Sequence, residues 1–189
     1  MTDDTDRLPP LPLDRLDADQ RVAADELLNG PRKAVKGPFI ALLRSPAVMT
    51  HAQRLGAALR FDSVLPQRLN EFATLIVARA YSQPFEWSVH RPLAVKAGVA
   101  EATVQAVAEG RRPTTMAEDE ALVHDYTMEL LRHHGVGDAT YEAARTLLGE
   151  RGVVELTTLI GYFAMVNGVL NVARTPPEPG VPPMPSLPA

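Results

Sequence analysis

The sequence predicts an all-α protein of about seven or eight helices, and three observations carry that reading. Apolar residues recur at helical spacing through most of its 189 residues. No segment alternates with period two, the mark of a half-buried strand. Gly, Pro and small polar residues stand between the periodic segments as helix starts and stops.

The elements follow in order. Residues 1–13 are rich in Pro and Asp and are expected to run as an extended N-terminal arm. Residues 14–174 are expected to form a single helical domain. Its first helix runs from Asp17 to Leu28 and is stopped by Asn29, Gly30 and Pro31. Pro38 to Leu59 holds helical pieces divided by Pro46, and Ser63 to Pro66 is a turn with Pro66 suited to a first helical position. Leu69, Phe72, Leu75 and Ile76 form one apolar stripe. Ser82 is the expected cap of the next helix, with Pro84 in its first turn. Pro92 lies inside that helix and cannot donate to the carbonyl of Ser88, which predicts a kink. Gly98 ends it.

Glu101 to Glu109 is a short helix closed by Gly110. Thr115 and Glu118 fit a capping box for a helix to His134, with Gly135 as its terminator. Asp138 caps a helix to Leu148. A last apolar helix covers Val153 to Ala173. It approaches membrane-spanning length, but Glu155, Thr157, Thr158, Asn167 and Asn171 interrupt it, so a buried helix is expected rather than a span. Residues 175–189 contain seven prolines among fifteen positions. They form an expected extended tail, suited to lying on a neighbouring subunit.

Composition narrows the function. Charged residues make up 22 % and the formal net charge is -4, which argues against nucleic acid and anionic membranes as partners. The P-loop and dinucleotide-binding glycine patterns are missing, and aromatic residues are only 5 %. The chain has no cysteine, which excludes disulfides, thiolate nucleophiles and zinc–thiolate sites. The start, MTDDTDRLPP, has no apolar core of a secretory signal, so a cytoplasmic location is expected.

The most informative stretch is RLNEFATLIVARAYSQPFEWSVHRPLAVKAG, residues 68–98. It sets Glu71, Glu86 and His90 among apolar helical sequence. Glu86 and His90 are one turn apart on one helix face. Glu71, on the preceding apolar run, can point back at them across a helix–helix contact. Converging on an apolar wall, the three make an acid–base site. Two plainer readings stand beside it. A Glu–His pair at this spacing is often only a helix-face contact, and Glu71 can equally pair with Arg68 on its own helix. A metal site is weaker, because the di-iron pattern needs Glu-x-x-His twice. Trp87 is expected at a pocket wall or a subunit interface. His133 and His134 suit a helix C-terminus, and His51 and His124 are expected at the surface.

The segments RLNE at 68–71, FEWSVH at 85–90 and LAVKAGV at 93–99 resemble the carboxymuconolactone decarboxylase family, whose helical fold is shared with alkyl hydroperoxidase D. RLPPLP at 7–12, GPFIALLRSP at 37–46 and VVELTTLIGYF at 153–163 support the resemblance. The peroxidase branch is similar but carries a Cys-x-x-Cys pair before the histidine, where this chain has Gln83 and Glu86. The resemblance implies an alkyl hydroperoxidase D-like bundle and a homo-oligomer, a trimer or hexamer. It implies a lyase, in aromatic compound catabolism, that decarboxylates a small carboxylated ring or lactone with no cofactor and no metal. His90 is then the proton donor, Glu86 its orienting partner and Glu71 a second acid–base group. An anionic substrate also needs a cation, for which Arg79 and Arg91 are the nearest in sequence. The alternatives are a non-catalytic, small-ligand-binding member and, third, a thiol-independent hydroperoxidase.

Overall fold

A computed structural model describes residues 6–180 and 183–186. Among them are eight α-helices and no strand. They are α1 (Ala18–Asn29), α2 (Pro38–Leu42), α3 (Pro46–Phe61), α4 (Gln67–Ala80), α5 (Pro84–Lys96), α6 (Glu101–Ala108), α7 (Glu118–His133) and α8 (Asp138–Ala173). A single 3-10 turn, Leu13–Arg15, precedes them.

The centre of the molecule is α4, which packs against α5, α6, α7 and α8. Every residue from Leu69 to Arg79 is buried, so α4 is enclosed on all sides, its polar face as well as its apolar stripe. Phe72 and Leu75 are fully enclosed, each worth about 1.5–3 kcal/mol of apolar burial. Two of its buried polar groups are satisfied by nearby backbone. Asn70 donates to the carbonyl of Leu59 and Thr74 donates to the carbonyl of Asn70.

Local chemistry explains most helix ends. Asp17 accepts from the Gln20 amide while the Gln20 side chain accepts from the Asp17 amide, a reciprocal cap for α1. At Gly149 the backbone turns to φ +69°, ψ 171°, so α8 is two helices meeting at a glycine, as the separate expected segments imply. Half of the most apolar window of α8 is buried inside the fold, though the helix is long and apolar enough to cross a membrane.

Several expectations fail at helix starts. Ser82 does not cap α5: it sits at φ +48°, and the Gln83 side-chain oxygen instead accepts from the amides of Phe85 and Glu86. Thr115 does not cap α7, because the helix begins later. The carboxylate of Glu120 accepts from the Ala117 amide, and Thr115 shares a hydroxyl contact with Thr103. Pro66 is the residue before α4, not its first, and Gly137 rather than Asp138 precedes α8. His134, left-handed at φ +61°, ends α7 in place of Gly135.

The described parts of the arm and tail lie against the helices. In the arm, Arg7 donates its amide to the carbonyl of Ala173, and Arg44 donates to the carbonyls of Leu8 and Pro9. The described part of the tail runs over its own chain. The amide of Glu178 donates to the Ser88 hydroxyl, and Arg79 donates to the carbonyl of Pro185. Residues 1–5, 181–182 and 187–189, which fall within the expected arm and tail, lie outside the described residues.

Candidate active site

α4 and α5 cross so that Glu71 meets His90. The two helices are joined by a short turn, Tyr81 to Gln83, which reverses the chain. The Gln83 cap then fixes where α5 begins, and with it the direction in which Glu86 and His90 project. His90 Nδ1 lies 2.6 Å from Glu71 Oε2, and His90 Nε2 lies 3.2 Å from Glu86 Oε2. All three side chains are almost wholly buried. The second oxygen of Glu71 accepts from the Gln67 amide at 2.8 Å. Phe163 of α8 meets the His90 ring edge-on at 5.1 Å and holds its plane.

Burial disfavours a charged imidazole here. The hydrogen bonds to Glu71 and Glu86, with their negative charges, outweigh it and raise His90 to about 9. His90 is therefore an imidazolium at neutral pH, donating from both ring nitrogens. Among the described residues no group of three His, Asp or Glu is arranged to hold a metal ion.

The plainer reading of Glu71 does not hold, since Arg68 turns away. It pairs with Asp119 at 2.6 Å and Glu120 at 2.5 Å, tying α4 to α7.

Glu86 and His90 line a cavity of about 500 Å³ between α2, α3, α5 and α8. Glu71 does not line it and stands behind His90. The walls are divided by character. Phe39, Leu59, Phe85, Val89, Leu159, Phe163 and Val166 are apolar, and Arg32, Lys36, Arg60 and Tyr162 supply the opposing polar groups. Burial pushes the Tyr162 hydroxyl up to about 12; Arg32 and Arg60 pull against this and Glu86 adds to it. The phenol is thus a neutral donor at physiological pH. Glu178 of the tail also reaches the cavity.

The cations are not those nearest in sequence. Arg79 sits beside a different pocket, bonded to Pro185, and Arg91 pairs with Glu101 at 2.9 Å on the outer face of α5. Arg32 belongs to the loop after α1 and Arg60 to the end of α3, and no motif links either to His90. Trp87 is packed in the core and lines neither pocket. His124 is buried rather than exposed, with Nδ1 2.9 Å from Asp125 and its ring beside Phe72.

Residues 46–122 match the model of the carboxymuconolactone decarboxylase family. That stretch holds Glu71, Glu86 and His90. No curated protein matches the chain.

Proposed function

We propose that this chain, whose residues 46–122 match the model of the carboxymuconolactone decarboxylase family, is a cofactor-free carboxy-lyase for a small carboxylated ring or lactone. The observation that carries the reading is the imidazolium of His90, clamped between two carboxylates in the wall of a partly open cavity with one apolar and one polar side.

The chemistry is a heterolytic cleavage. The carbon–carboxylate bond breaks, carbon dioxide leaves, and the electron pair passes into the ring carbonyl as an enolate. An apolar wall favours loss of the carboxylate charge as neutral carbon dioxide. The enolate is then protonated at carbon. His90 is the acid, and Glu86, which faces both the cavity and Nε2, orients the ring and carries the proton forward. Glu71 does not touch the substrate. It holds the imidazole by Nδ1 and keeps it charged, the work of a positioning residue.

We place the protein in the cytoplasm as a homo-oligomer, a trimer or hexamer. Val154, Met165 and Val172 on α8, with Val48, Leu55, Phe61 and Val64, expose apolar surface that a second copy would cover. The test is carbon dioxide release from a panel of lactone carboxylates. Release that His90→Gln removes supports the lyase. Tight carboxylate binding without release supports the small-ligand-binding member instead.

A further inference from the structure

Arg32 is an unusual arginine. It comes from the loop between α1 and α2, and its Nε is buried with no hydrogen-bond partner. Among the described residues no carboxylate pairs with it. Its guanidinium lies 4.9 Å over the ring of Phe39, which fixes its plane from one side. On the other side α3 carries Gly56. A Cβ there would stand 2.8 Å from Arg32 Nη2 and 2.2 Å from Tyr162 Oη. The bare backbone of Gly56 thus admits both polar tips to one spot in the cavity wall. The Tyr162 hydroxyl likewise has no hydrogen-bond partner among the described residues, whereas Tyr126 bonds Thr157. Arg32 is half-buried overall, and a guanidinium whose Nε is buried without a partner is costly unless an anion answers it.

We infer that Arg32 and Tyr162, over Gly56, form an oxyanion seat for the carboxylate or carbonyl oxygen that the ligand keeps. The inference rests on the reading of this cavity as the substrate site, but not on the reaction carried out there. The retained group is assigned for an energetic reason. A cation on the departing carboxylate would stabilise the charge that must vanish, and so raise the barrier. A cation on the retained oxygen is strengthened as charge moves into the ring. Arg60 and Lys36 also face the cavity. Arg60 leans on Phe61 at 5.5 Å instead of entering the Gly56 notch, and Lys36 is exposed. These two raise the local potential without defining the seat. Planar guanidinium and phenol together select a planar oxyanion over a neutral amide of the same shape.

The experiment is calorimetric titration of the full chain with γ-butyrolactone γ-carboxylate and with its neutral carboxamide. Wild type is expected to prefer the carboxylate by about tenfold or more. Arg32→Gln should erase that preference and leave carboxamide binding unchanged. Arg32→Lys should keep part of it, which a misfolded variant would not. Gly56→Ala should weaken the carboxylate with both polar residues still present. Tyr162→Phe should cost about threefold to tenfold. A wild type without the preference, or an Arg32→Gln variant that keeps it, overturns the seat. Failure to release carbon dioxide with the preference intact leaves the seat standing and removes only the lyase.

Discussion

His90 and Glu71 stand nineteen residues apart in the chain and 2.6 Å apart in the fold, joined through Nδ1 and Oε2. With the Glu86 contact at Nε2, that contact holds a positive charge in the protein interior and sets the sign of its pH response. The folded pKa, about 9, lies above the ordinary value of 6.5. The stabilisation is therefore fully present below about pH 6.5 and is lost as pH rises through about 9. Its ceiling is roughly 3 kcal/mol. Urea unfolding at intervals across that window should show stability falling as pH rises. Glu71→Gln should flatten the slope by half or more and lower the His90 titration seen by NMR. An unchanged titration in that variant would detach Glu71 from the histidine.

Turnover should depend on His90 and Glu86 as a unit. His90→Gln is expected to cost about 10²–10⁴ in kcat/KM once a substrate is identified, the usual contribution of a positioned acid. Glu86→Gln should be milder, because an amide still orients the ring but does not stabilise its charge. The two losses should not add. Strictly additive losses in a double-mutant cycle, with circular dichroism checking the fold, would break the pair.

Arg68 should matter to stability and not to the site. Its partner Glu120 is buried, so Arg68→Ala leaves an acid with less compensation and is expected to cost about 1–3 kcal/mol. The His90 titration should be unmoved. A shift there would restore the contact between Arg68 and Glu71 that the geometry denies.

Gln83 should act as a cap and not in chemistry. Gln83→Ala removes the oxygen that accepts from Phe85 and Glu86 and should cost about 1 kcal/mol. Peroxide reduction coupled to a dithiol should stay at background in wild type, which has no thiol to carry it. Thiol-dependent turnover would overturn the resemblance drawn from Gln83 and Glu86 standing where the peroxidase branch carries cysteines.

The chain should self-associate at micromolar concentration, and light scattering measures this directly. Val154→Lys and Val172→Lys on the exposed face of α8 are expected to weaken the assembly without disturbing the buried side of that helix. A monomeric wild type would count against the apolar face as an interface.

The parts legible in the sequence were those with short-range periodicity. The one-turn spacing of Glu86 and His90 was enough to align them, and Asn29-Gly30-Pro31 was enough to stop α1. Glu71 was legible only as a choice between two partners, because helix spacing says nothing about which neighbour a helix will cross. Arg32 was not legible at all. It reaches the cavity from a loop, and only the missing Cβ of Gly56 and the ring of Phe39 hold it there. Gln83 was missed as a cap because Ser82 beside it fits the usual preference. The left-handed turn at Ser82 takes that residue out of reach.

The cavity draws its walls from segments of unequal standing. Glu86 and His90 fall within residues 46–122, the stretch that matches the family. Arg32 and Lys36 come before that stretch, and Leu159, Tyr162, Phe163, Val166 and Glu178 come after it. The wall is therefore split: Gly56, Arg60 and Phe85 lie with Glu86 and His90 inside that stretch, and Arg32 and Tyr162 lie outside it. On the proposed lyase reading, drift in the flanks retunes what enters while His90 stays in place, so chains that share the central motif need not share a substrate. A chimera that exchanges only the flanks would carry selectivity from one member to another and leave the imidazolium where it is.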